Sequence, residues 1–173
     1  MNETIRNLTE RRSVRAYTEK QVPEEVLNEI LEAGRFAPSG MNRQPALFIA
    51  VQDKETRDTL SRMNAAVMGN SGDPFYGAPT VVLVLVEASV GTGVEGGALA
   101  MGKMLNATYS LGLGSCWIHR AKEMFESEEG KALLRKWGVQ GEYRGVGCCI
   151  LGYPADGFPA AKPRREGNVL YIR

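Results

Sequence analysis

One stretch constrains this chain more than any other: "TVVLVLV", residues 80–86. Successive side chains of a β-strand point to opposite faces. A strand that is apolar at nearly every position therefore demands cover on both faces of its sheet. The run is far short of the ~20 residues needed to cross a bilayer. It predicts a buried central strand in a layered mixture of helices and sheet. At 173 residues the whole chain, 1–173, reads as a single domain. A domain of that size buries roughly 70% of its unfolded surface, enough for a core without staples.

The remaining elements follow from local signals. Ile5 and Leu8 are spaced for a short helix over residues 2–10. "VPEEVLNEILEAG" opens with Pro23 and two acids, carries Val26, Leu27, Ile30 and Leu31 as one stripe, and ends at Gly34. "PALFIAV" predicts a strand, and Asp53 caps a helix running to about Met68. After the loop "GNSGDPFYGAP" and the strand 80–86, a Gly/Ala-rich helix is expected over roughly 95–111. The strand "LGSCWI", one helix through the 120s and 130s ending near Gly138, and the strand "GVGCCILGY" complete the pattern. The tail, about 153–173, is Pro-rich yet finishes on Val169, Leu170, Tyr171 and Ile172, an ending suited to docking on another surface.

Charge and cysteine usage narrow the function classes. Lys plus Arg number 21 against 20 Asp plus Glu, so no global field favours nucleic acid or an anionic membrane as partner. Cys116, Cys148 and Cys149 form no disulfide framework, and adjacent Cys148 and Cys149 would face opposite sides of a strand. With no apolar signal core in "MNETIRNLTERR", the expectation is a cytoplasmic protein. Cys116 and His119 are spaced C-x-x-H, but the chain has a single His and no second ligand pair, so no metal site is expected. Nor is there a Ser-His-Asp order or an H-E-x-x-H pair. Chemistry would have to come from a bound organic cofactor.

Three stretches concentrate ligand-binding residue types. "RRSVR" crowds Arg11, Arg12 and Arg15 around Ser13; in extended backbone Arg11, Ser13 and Arg15 share one side, as a clamp on a phosphate or carbonyl-rich ring edge would require. Spacing alone equally allows a solvated basic loop paired with Glu10 and Glu19. "FAPSGMNRQP" turns at Pro38, Ser39 and Gly40 and sets the amides of Asn42 and Gln44 just before a strand. "AAKPRRE" alternates Lys162 and Arg164 around Pro163. The match "GTGVEG", 91–96, to a dinucleotide fingerprint is weak. Its first glycine lies past the strand end, and the acid expected ~20 residues on is missing, which favours a loop before a tightly packed helix.

Taken in order, "RRSVRAYTEKQVP", "APSGMNRQPALFIAV", "FYGAPTVVLV", "LGLGSCWI" and "LGYP…KPR" resemble the nitroreductase family of flavin enzymes, from about residue 3 to the C-terminus. The resemblance implies an α+β fold whose central sheet is flanked by helices, in an intertwined homodimer holding FMN (flavin mononucleotide) at the interface, with the tail docked there. It implies that Arg11, Lys162 and Arg164 hold the FMN phosphate, with Arg12 beside them. Ser13 would touch the ribityl chain or ring edge, and Arg15 the N1 and C2 carbonyl edge. Pro38, Ser39, Gly40, Asn42 and Gln44 would line the cofactor, the first four reaching it from the other subunit. Trp117, Ile118 and His119 would lie along the ring, the His119 N–H facing N5. No side chain is implied as an acid or base. The implied reaction takes electrons from NADH or NADPH and passes them by ping-pong hydride transfer to a small nitroaromatic, quinone or similar acceptor. An FMN carrier or redox-responsive module without turnover is the alternative. Two departures from the family pattern, Gly102-Lys103 and Ala46, bear on the shape of the substrate pocket.

Overall fold

A computed structural model describes all 173 residues. The element order is α1 (Glu3–Glu10), α2 (Glu24–Arg35), β1 (Ala46–Val51), α3 (Lys54–Val67), β2 (Thr80–Glu87), α4 (Gly93–Ser110), β3 (Gly114–Ile118), α5 (Ala121–Glu126), α6 (Glu128–Lys136) and β4 (Tyr143–Gly152). The strands form one antiparallel sheet in the order β1-β2-β4-β3. The architecture is α+β.

The apolar run does what its pattern demands. Val81, Leu83 and Leu85 face a core shared with Leu60, Met63, Phe75 and Phe125 from the α3, α5 and α6 side. Val82, Val84 and Val86 face a second core with Ile30, Met101 and Met104 from α2 and α4. Each fully buried aliphatic side chain contributes about 1.5–3 kcal/mol. Cys148 and Cys149 divide between the same two cores. Burial pushes the Cys148 thiol up to about 12 and raises Cys149 as well, which leaves both as inert packing groups.

Two details differ from the sequence expectations. The helix expected through the 120s and 130s is two helices, broken at Ser127, whose side chain accepts from the Gly130 N–H at 3.0 Å. The pattern S-E-E-G starts a new helix there because a hydroxyl at the N-cap outbids continuation. The glycine-rich helix begins at Gly93 rather than 95, inside the GTGVEG stretch. A Cβ on Gly97 would sit 2.8 Å from Val146 and 2.9 Å from Val86, so this helix lies directly on the sheet. Close helix–sheet approach accounts for Gly93 and Gly97.

After α1 the chain runs along the open edge of β3. Ser13 bridges Ser115 in parallel, Val14 N–H donates to the Ser115 carbonyl at 3.0 Å, and Thr18 N–H donates to the Tyr153 carbonyl at 2.9 Å. The RRSVR segment thus becomes an irregular extra strand that covers the sheet edge.

Candidate functional site

Extended backbone at that edge leaves the arginines where the rest of the chain offers them little. None of Arg11, Arg12 and Arg15 forms an ion pair, with Glu10, Glu19 or any other acid. Arg11 Nη1 is buried with no hydrogen-bond partner, and so are Arg12 Nε and Ser115 Oγ on the neighbouring strand. Arg12 Nη1 turns back to the carbonyls of Thr9 and Arg11, both at 2.7 Å, and so closes the end of α1. A buried cationic nitrogen without a partner costs several kcal/mol unless something anionic meets it. The edge is therefore short of an acceptor, and a phosphate-bearing ligand such as FMN fits that deficit.

Beside this edge, at the C-terminal end of β3, opens a cleft of about 390 Å³. Arg15, Cys116, Trp117, Ile118, His119 and Arg120 form one wall, and the loop after α3 supplies Met68, Asn70, Asp73, Pro74 and Tyr76. Asp73 bolts that loop down: its carboxylate accepts from Arg57 Nη2 at 2.6 Å, Ser61 Oγ at 2.5 Å, Phe75 N at 2.9 Å and Gly77 N at 2.8 Å. Burial alone would raise its pKa, but these donors overcome that and hold it at about 2. The β3 wall is braced from behind by Asn64, fully buried on α3, whose Nδ2 donates to the His119 carbonyl at 2.7 Å. Arg120 Nε donates in turn to Asn64 Oδ1 at 3.1 Å. The strand end that carries His119 is thereby fixed from below.

The loop expected to supply polar groups lies elsewhere. Pro38, Ser39 and Gln44 line a second cleft of about 350 Å³, with Leu31, Gly34, Phe48 and Ala100 among its apolar walls. Gly40 and Asn42 belong to a single 3₁₀ turn, Gly40–Asn42, that leads into it. Ser39 Oγ accepts from the Gln44 N–H at 2.9 Å, and Gln44 Nε2 donates to Asn42 Oδ1 at 3.2 Å. Met41, Asn42 and Gln44 all adopt left-handed φ values, 52°, 53° and 49°. Such residues each cost on the order of 1 kcal/mol and cluster where a loop serves a ligand or partner. Lys103 on α4 ties that helix to the end of α2 through the Phe36 carbonyl at 2.6 Å, and Ala46 lines the second cleft.

Lys162 and Arg164 lie in an extended tail that is exposed from Ala155 to Arg173. Its aromatic contact with the body of the chain is Phe158 against Tyr109, edge to face at 4.9 Å. Within one chain the structure thus brings Arg15 together with Trp117, Ile118 and His119, sets Arg11, Arg12 and Ser13 along the adjoining edge, and keeps the loop 38–44 and the tail cations apart from them. Asn64, Asn70, Asp73, Tyr76 and Arg120 went unread in the sequence. An Asn on the inward face of a helix was the one available signal, for Asn64.

A helix-covered antiparallel sheet with a cation-rich edge beside a half-apolar cleft defines the class: an α+β protein with a ligand site at the end of an edge strand. The chain belongs to the nitroreductase family, whose model matches residues 8–153. It is 33% identical to an FMN reductase [NAD(P)H] of Bacillus subtilis over 95% of this chain and 70% of that one. A nitroreductase with bound FMN from Bacteroides fragilis superposes with a TM-score of 0.92 at 33% identity, covering 100% of both chains. One from Desulfitobacterium hafniense, also with bound FMN, gives 0.89 at 26%, again over 100% of each.

Proposed function

We propose that this protein is an FMN-dependent NAD(P)H oxidoreductase that works as a homodimer and reduces small electron-poor acceptors of the nitroaromatic or quinone kind. The observation that carries the reading is Arg11 Nη1, buried and without a partner in the segment that covers the β3 edge of the sheet. Arg11 would meet the cofactor phosphate, joined by Lys162 and Arg164 once the tail is seated. Ser13 would hold the polar chain next to it. Bound FMN supplies a reversible two-electron store between the donor and the acceptor. Arg15 sets a fixed positive charge on the cleft wall, where it favours a more negative, reduced ligand. Trp117, Ile118 and His119 present a strand end whose position Asn64 holds, so its backbone groups are preorganised rather than mobile. No side chain in the cleft needs to act as an acid or base.

The separation of the two clefts within one chain supports a site completed by a second copy, which would bring Pro38, Ser39, Gly40, Asn42 and Gln44 to the cofactor of its partner. Exposed Leu170 and Ile172, at 84% and 86%, give the tail a reason to dock on that copy. Names of relatives such as FMN reductase and NADPH-flavin oxidoreductase favour turnover over passive carriage. The test is optical. The purified protein, reconstituted with FMN if needed, should be yellow, and NADH or NADPH should bleach it without air. Protein that stays colourless after FMN is added would overturn the cofactor reading, and a flavin that neither donor bleaches would leave only the carrier.

A further inference from the structure

We propose that Tyr76 and Arg120 form a recognition pair for a planar aromatic carboxylate, so that the preferred acceptors of this protein are aromatic acids. The inference rests on the FMN reading of the same cleft. Five non-glycine residues of the chain adopt left-handed backbone; apart from the three in the loop after α2, the two are Tyr76, φ 52°, and Arg120, φ 77°. Both line the cleft at the end of β3, one on each wall. Glycine would occupy either position without strain, so a bulky side chain at each needs a reason to be there.

Arg120 is held while its charge stays free. Its Nε is fastened to the buried Asn64, and no carboxylate lies within ion-pair distance of its guanidinium. Asp73, the one acid lining the cleft, is fully engaged by Arg57, Ser61 and two backbone N–H groups. The cleft thus carries the uncompensated charges of Arg15 and Arg120. Arg15 belongs to the cofactor side, which leaves Arg120 for the incoming molecule. Tyr76 is 43% exposed, its hydroxyl is unbonded, and its loop is anchored by the Tyr76 N–H to Asp73 carbonyl bond at 3.1 Å. Met68 and Pro74 line the same cleft and add apolar surface near the ring. A ring against Tyr76 with a carboxylate on Arg120 satisfies both walls at once.

The FMN-loaded protein is assayed with 4-nitrobenzoate and with its neutral counterpart 4-nitrobenzamide, and calorimetry measures the binding of benzoate and benzamide. The wild type should prefer acid over amide about tenfold or more, in both kcat/KM and affinity. Arg120→Gln should erase most of that preference, and Arg120→Lys should keep part of it. Tyr76→Ala should weaken both ring ligands while the preference survives. An unchanged benzoate affinity in Arg120→Gln overturns the proposal, as does an equal loss for acid and amide. A loss confined to NADPH against NADH also overturns it, because the charge would then serve the donor's phosphate. If the protein takes up no flavin, the FMN reading fails by itself, and the calorimetric comparison still decides this one.

Discussion

The two faces of the sheet are finished to different degrees. On the α3, α5 and α6 side the core is sealed from the chain's own resources: Arg57 reaches the Ala78 carbonyl at 3.0 Å and Asp73 at 2.6 Å, and so laces the loop after α3 onto the helix. On the α2 and α4 side a half-apolar cleft stays open, and Phe36, Met41 and Leu99 are 72%, 80% and 51% exposed. Helix α1, docked on α4 through Asn7 and the Asn106 carbonyl, buries none of its own residues. The difference teaches that the α2 and α4 layer leaves its large apolar residues more exposed, whereas on the other side the exposed Met68 and Tyr76 gather at the cleft beside β3. Large apolar residues gathered on one face are the mark of an interface.

The severest way to break this contrast is Leu99→Arg. A buried leucine contributes about 1.5–3 kcal/mol, it counts once per copy, and an arginine in its place adds a desolvation cost. The proposed dimer should therefore weaken about 100-fold or more, and bound FMN should fall with it. Sedimentation equilibrium with the flavin absorbance followed in parallel would read both. A wild-type protein that sediments as single copies would show that the open face belongs to solvent.

Next in size is Arg11→Ala. A hydrogen bond to a charged group is worth about 1.5–3 kcal/mol, so FMN should bind about 10- to 100-fold more weakly, and the deficit should narrow as salt screens the wild-type attraction. Because Arg11 Nη1 lacks a partner in the chain itself, the same change should leave the flavin-free protein no less stable. A melting series with and without FMN separates these effects. Loss of stability in the flavin-free protein would mean that Arg11 serves the fold rather than the ligand.

How far the sequence carried depends on whether a signal was local. The strand β2 was legible because seven apolar or β-branched residues in a row admit few other readings, and the α3 cap was legible because Asp53 stands three residues before the Thr56 N–H it binds, at 2.8 Å. The break at Ser127 was not, since Met124, Phe125 and Leu134 all bury and suggest one stripe. The order of motifs pointed to the family before any fold was known, yet the wall of the cleft was hidden. Asn64 meets His119 across 55 positions of sequence, and nothing near either residue announces the contact. Left-handed backbone at Tyr76 and Arg120 was equally silent, because the usual sign of that conformation is a glycine. Packing, not propensity, places those residues.

The smallest expected effect tests the sealed face. Asp73 has its carboxylate held at about 2, below the ordinary value of 3.8, by Arg57, Ser61 and two N–H donors working against its burial. A group whose folded-state value is depressed contributes stability above its unfolded value, and that stability disappears as pH falls through the folded one. The window therefore runs from about pH 4 down to about pH 2. With the side chain 39% exposed, water screens much of the effect, and about 1 kcal/mol should be lost across the window. Urea unfolding at several acid pH values should show this slope in the wild type and a shallower one in Asp73→Asn. Equal slopes would mean that the loop after α3 is held by packing around Phe75, and that the lacing by Arg57 adds little to the closed face.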